Sequence, residues 1–344
     1  MNVEARSQKL EVRSKIVLCL RPCVLLLLFF VCGCAYFNTY YNAKKFFNQA
    51  EDTRRRKEEE LKTGTDASTG KSSSELYDKA IKKASAILEF YPRSRWVDDS
   101  LFLLGQAFYW QGDYQKAEVK FHELETNFPK SSFLSEARYW RGLCLWKLKE
   151  FNQAREILTP IVEQKHDKLA GYSLFTLGEM EFEEEDYSEA LDSYARVVHY
   201  HSAPNTLKAQ AWKRIGECYF TRKDYDRAVE AFRHVVAVAP SSTFSYIARN
   251  RIGECLQAQH RYSDALTIYQ GLLKEERFRT FFPQLSLNVA ECYTRIGKID
   301  QALTTYDEIT RNALNTEEAA LALYAMGELY QVHFNNLQKA KEFF

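Results

Sequence analysis

Small and large apolar residues recur along this chain at a fixed interval. Glycines stand at Gly105, Gly142, Gly178, Gly216, Gly253 and Gly327, separated by 37, 36, 38, 37 and 74 residues, and Ala290 fills the gap 37 after Gly253. Twelve residues after the first six of these seven places come Ala117, Ala154, Ala190, Ala228, Ala265 and Ala302. Four further on stand Phe121, Leu158, Tyr194, Phe232, Tyr269 and Tyr306. Each period therefore predicts two antiparallel helices that touch at a glycine and an alanine, with the large residue filling the seam. Pro129 and Pro240, twelve after Ala117 and Ala228, stop two of the second helices. A chance glycine–alanine spacing would not repeat six times in register.

The pattern also extends towards the N-terminus. Tyr36, Phe37, Tyr40, Tyr41, Phe46, Phe47 and Ala50 are spaced for one helical face, and Ala80, Ala84 and Pro92 mark the second helix of a first hairpin. The charged run Glu51–Lys62 is expected to carry the first helix into solvent, and the polar stretch Thr63–Ser74 reads as a loop with nothing to bury. The tyrosine stripe has two readings, core packing or contact with lipid headgroups.

The stretch from Trp212 to Pro240, "WKRIGECYFTRKDYDRAVEAFRHVVAVAP", resembles the tetratricopeptide pattern Trp-x2-Leu-Gly-x2-Tyr, then Ala-x3-Phe, then Pro. That resemblance implies an all-α fold, a right-handed superhelix (α-solenoid) of about eight helical hairpins. The repeat runs longer than the usual 34 residues, with the excess in loops such as "YPRSRWVDDS" and "FPKSSFLSEA". This loop style is similar to that of envelope lipoproteins of the BamD-like and CpoB-like kinds. CpoB-like proteins carry a coiled-coil segment before the repeats, for which Glu51–Lys62 is too short. In the last repeat Ala340 stands thirteen residues after Gly327, and the second helix stops at Phe344 without a polar cap, so the chain is expected to continue.

The N-terminus has a different character. Five basic residues among the first 22 precede a wholly apolar run from Cys23 to Val31. This is the architecture of a secretory signal and is short of the ~20 residues a membrane-spanning helix requires. Val31-Cys32-Gly33-Cys34 resembles the lipobox of bacterial lipoproteins, in which the final cysteine is lipidated and becomes the new N-terminus. The resemblance implies removal of 1–33, a lipid on Cys34 and, from Ala35 after it, location on the periplasmic face of the outer membrane. An ordinary signal and a Cys32–Cys34 redox pair are the competing readings. The expected organisation is thus 1–33 signal peptide, 34–94 anchored helix, polar loop and first hairpin, and 95–344 tandem repeats.

The net charge of +1 leaves no footprint for nucleic acid. Cys144, Cys218, Cys255 and Cys292 share one place in the repeat, two residues after its seam position. Helix spacings of about 8–10 Å exceed the ~7 Å a disulfide spans, so they read as core residues. The seven histidines form no metal-binding helix, and His199 and His201 lack a third ligand. With no nucleophile–base set and no phosphate loop, neither an enzyme nor a cofactor beyond the covalent lipid is expected.

In tetratricopeptide proteins the first helix of each repeat lines a concave groove. Carried over, the resemblance places Phe102, Tyr109, Trp110, Tyr139, Trp146, Tyr172, Phe175 and Phe182 there, followed by the ladder Glu179, Glu217, Glu254, Glu291 and Glu328. Two readings stand side by side. The groove anchors a partner's apolar and basic side chains, or the aromatics pack between repeats while Arg214 and Arg251 pair with Glu217 and Glu254 along their helices. The expected partners are envelope proteins or extended peptide segments. The expected role is an interaction scaffold in envelope biogenesis, with outer-membrane protein assembly ahead of a Tol–Pal or peptidoglycan coordinator, or an adaptor of a secretion or gliding machine.

Overall fold

The computed structural model describes residues 38–58, 72–164 and 168–344, and these hold helices and connecting turns with no strand. The signal segment, Cys34 and most of the polar loop lie outside the described residues. The helices are α1 (38–58), α2 (Ser73–Phe90), α3 (Val97–Trp110), α4 (Tyr114–Asn127), α5 (Leu134–Lys147), α6 (Phe151–Glu163), α7 (Ala170–Glu183) and α8 (Tyr187–His199). They continue as α9 (Asn205–Thr221), α10 (Tyr225–Val238), α11 (Thr243–Ala258), α12 (Tyr262–Leu273), α13 (Phe282–Ile296), α14 (Ile299–Asn312), α15 (Glu317–Val332) and α16 (Leu337–Phe343). Paired in order, they make eight hairpins among the described residues, the all-α tetratricopeptide solenoid that the repeat pattern predicts.

The chain divides into two compact units, the described residues up to Ile157 and those from Leu158 to Phe344. In the first, α1 presses Ala43 and Ala50 onto α2 and α3, against Ala80, Ala84, Leu104 and Ala107. In the second, successive helices pack in turn, and the first helices of hairpins also meet, α7 with α9, α9 with α11, and α13 with α15.

The seam explains the periodicity. A Cβ placed on Gly216 would lie 2.6 Å from the ring of Phe232, and one on Gly105 would lie 2.6 Å from Phe121. Tyr194 and Tyr269 cover Gly178 and Gly253 in the same way, and all four rings are fully buried. Gly142 is buried in α5, and Ala117, Ala154, Ala190, Ala228, Ala265 and Ala302 are all fully buried. In the last hairpin the extra residue before Ala340 passes the covering role to Phe344, whose ring lies over Gly327.

The turn inside most hairpins is built alike. One residue takes the left-handed conformation: Gly112, Lys149, Glu185, Lys223, His260, Gly297 or Asn335. This ends the first helix. The next residue starts the second helix, and where it is Asp113, Asp186, Asp224 or Asn336 its side chain accepts from an amide three residues on.

Tyr36 and Phe37 of the tyrosine stripe lie outside the described residues, and the part of the stripe on α1 is mainly core. Tyr40 is buried, stacks on Trp96 at 4.5 Å and donates to Asp99 at 2.8 Å, while Tyr41 is exposed. Two members of the charged run depart from the expected solvation. Arg54 lies 3.8 Å over the ring of Trp110, and Glu51 accepts a hydrogen bond from the buried Tyr77. The arginine stem and the ring shield each other from water while the charge keeps its ion pairs to Glu51 and Glu58.

Candidate functional site

Most of the aromatic positions are engaged within the repeats. Phe102 is buried, stacked on Phe133 at 4.8 Å. Tyr109 meets Tyr114 at 5.2 Å and Trp140 at 5.0 Å, and burial holds its hydroxyl pKa well above the usual phenol value. Trp140, which sequence reasoning passed over, gathers Tyr109, Trp110, Phe121 and Tyr139 around one indole. Its signal was available, since it stands two residues before Gly142 at the place that holds Arg214 and Arg251 in later repeats. Trp146 carries the Lys147 ammonium 3.7 Å above its ring. In the second unit Phe175 packs on Tyr194 and Phe182 on Tyr187, whereas Tyr172 is exposed.

The glutamate ladder is not uniform. Glu179 is buried and faces away from solvent, accepting from Tyr194 at 2.8 Å and from Arg214 Nε at 2.7 Å. Arg214 also reaches Glu217 at 2.7 Å, with its guanidinium 5.0 Å over the ring of Phe182. Arg251 repeats the arrangement one hairpin on, 2.6 Å from Glu254 and 5.4 Å over Phe220. Asn250 gives Glu254 a second donor at 2.6 Å. Each of these three carboxylates has a cationic partner within the fold.

The last two are open. Glu291 is half exposed, and its ion-pair partner among the described residues is Arg295, at 3.9 Å. Glu328 is exposed and has no ion-pair partner among the described residues. Between them, over α13 and α15, opens a cavity of about 530 Å³. Its walls mix Glu291 and Glu328 with Leu287, Leu321, Tyr324 and Val332. Leu321, Tyr324 and Val332 are exposed, so apolar surface and two carboxylates stand together in one groove. Here the structure brings Glu291 and Glu328 to one cavity. Among the described residues no group of three acidic, histidine or cysteine side chains is placed to hold a metal ion.

The comparisons with known proteins agree with this architecture. Residues 174–243 match the family described as Tetratricopeptide repeat, and residues 65–170 match YfiO, described as Outer membrane lipoprotein. Among solved structures, the C-terminal part of a TPR repeat-containing protein from Cytophaga hutchinsonii aligns with TM-score 0.59 at 15% identity, over 83% of this chain and 99% of that one. The apo form of RapI aligns with TM-score 0.60 at 11% identity, over 89% and 86%. A signal-transduction ATPase with a tetratricopeptide repeat sensor from Pyrococcus horikoshii aligns with TM-score 0.56 at 15% identity, over 78% of this chain and 46% of that one. At such identities the likeness is one of fold. No curated protein matches the sequence significantly. Fold and repeat together define a tetratricopeptide-repeat solenoid, a class whose members present extended surfaces to other proteins.

Proposed function

We propose that this chain is a non-enzymatic scaffold, held by a lipid on Cys34 at the periplasmic face of an outer membrane, that docks an extended segment of a partner protein between α13 and α15. The observation that carries the docking reading is the cavity over those helices, where exposed Leu321, Tyr324 and Val332 stand beside Glu328 and beside Glu291, whose ion-pair partner Arg295 lies 3.9 Å away. Apolar anchors ringed by charge are what a segment-binding groove requires. The match of residues 65–170 to an outer membrane lipoprotein family and the lipobox at Val31–Cys34 support the envelope setting. Among the described residues no helix is long and apolar enough to cross a membrane. Within the envelope, the BamD-like style of the repeat loops favours a role in assembling outer-membrane proteins.

Two measurements test this. A photo-crosslinking amino acid at Tyr324 should trap a discrete partner in cells, while one at the equally exposed Val119 on α4 should not. Equal trapping at both positions would remove the groove. Cys34→Ser should move the protein from the membrane to the soluble periplasmic fraction, and retention on the membrane would remove the anchor.

A further inference from the structure

The groove between α13 and α15 occupies a place that two neighbouring repeats fill with an arginine of their own. Arg214 and Arg251 each stand two residues before the seam glycine of a first helix. Each guanidinium lies against the aromatic ring of the first helix before it, Phe182 or Phe220, and bonds to a carboxylate on its own helix, Glu217 or Glu254. Each also feels the glutamate of the preceding repeat. Arg214 bonds Glu179 directly, and the charge of Glu217 helps hold Arg251 protonated after burial has opposed it. At Arg214 the slot is therefore two glutamates one repeat apart, with the arginine bonded to both.

Further along, the glutamates persist and the arginine does not. The corresponding residue is Asn288 in α13, where its side chain donates to Asn250 at 3.3 Å. In α15 it is Ala325, which lines the cavity together with Glu291 of the preceding repeat and Glu328 of its own. Thr294, four residues after Ala290, takes the place of the covering ring and also lines the space. The cavity is thus the arginine slot of the last repeat, left open by an alanine. The cations that line it leave it open: Arg295 is largely exposed at 3.9 Å from Glu291, and His333 borders the same space.

We infer that this slot takes an arginine side chain from the docked segment, its guanidinium between Glu291 and Glu328 and its apolar neighbour against Leu321, Tyr324 and Val332. Arginine suits the slot better than lysine. Its planar fork can bond two carboxylates at once while its face lies on an apolar wall, as Arg214 does inside the fold. The inference rests on the docking reading above and names the chemistry of the segment.

The test pans a randomised heptapeptide display library on the full chain carrying Cys34→Ser, then measures the selected peptides by fluorescence anisotropy. Selected peptides should carry an arginine beside a large apolar residue. Replacing that arginine by its neutral isostere citrulline should weaken binding about tenfold or more, the scale of a charge-assisted pair. Ala325→Arg, which fills the slot from within, should abolish binding with the fold intact by circular dichroism. Should that variant not fold, Glu291→Gln with Glu328→Gln gives the second route, with a loss of about tenfold expected. Peptides that bind without arginine yet are blocked by Ala325→Arg would overturn the inference and leave the docking groove standing. Absence of any binding, or binding indifferent to Ala325→Arg and to the glutamine pair, would overturn both.

Discussion

Arg214 donates from Nε to the Glu179 carboxylate at 2.7 Å, joining residues 35 apart in sequence and one repeat apart in the solenoid. The same carboxylate accepts the Tyr194 hydroxyl at 2.8 Å, so one buried charge ties together α7, α8 and α9. Removing one partner of such a group leaves the other charged and poorly solvated, which costs more than the pair contributes. Arg214→Met should destabilise the protein by about 2–4 kcal/mol, the lower part of the range for buried pairs because the arginine keeps some exposure. Urea denaturation measures it. Adding Glu179→Gln to that variant should recover part of the loss, and a purely additive result would show that the two side chains are not coupled.

The seam prediction concerns a single methyl group. Gly216→Ala sets a Cβ 2.6 Å from the Phe232 ring, which cannot retreat within a full core. A loss of about 1–3 kcal/mol in thermal or chemical unfolding is expected, the range for overpacking. In the Phe232→Leu background the same alanine should cost much less. An equal cost in both backgrounds would place the strain elsewhere.

Stability should also depend on pH through Glu125. Burial raises its pKa, but Arg138 at 2.8 Å and Arg141 at 3.0 Å outweigh this and hold it below the usual glutamate value. Because the folded pKa lies below the unfolded one, the contribution is complete above the ordinary glutamate range. It is lost as the pH falls from about 5 towards the folded value. Denaturation midpoints followed through that window should flatten in Glu125→Gln. An unchanged slope would mean that other carboxylates govern acid unfolding.

The four cysteines of the repeats should be silent in the native state. Cys144, Cys218, Cys255 and Cys292 are fully buried and unpaired with one another. Burial pushes the thiols of Cys218, Cys255 and Cys292 up to about 12, and that of Cys144 higher still. A thiol reagent added to the mature chain with Cys34→Ser should find no reactive group at neutral pH and four in denaturant. Rapid reaction of any one without denaturant would show local opening of its repeat.

The repeat is legible in the amino-acid sequence because close helix contact leaves a local mark. Only a missing side chain lets the ring of Phe232 lie on Gly216, so glycine, alanine and ring recur at set distances in a string of letters. The conserved spacing carried the hairpins, their order and the buried cysteines. What the string did not carry was the condition of each glutamate. Glu179, Glu217, Glu254, Glu291 and Glu328 hold equivalent places, yet the first is buried on Arg214 and Glu291 is half exposed. That difference arises across repeats, from whether the next helix brings an arginine, as Arg214 does, or an alanine, as Ala325 does. The partner of a side chain on one repeat is set some 35 residues away, and folding alone brings the two within hydrogen-bond distance. Periodicity therefore specifies the scaffold, while the three-dimensional neighbourhood of each carboxylate determines which are spent on stability and which stay open to another molecule.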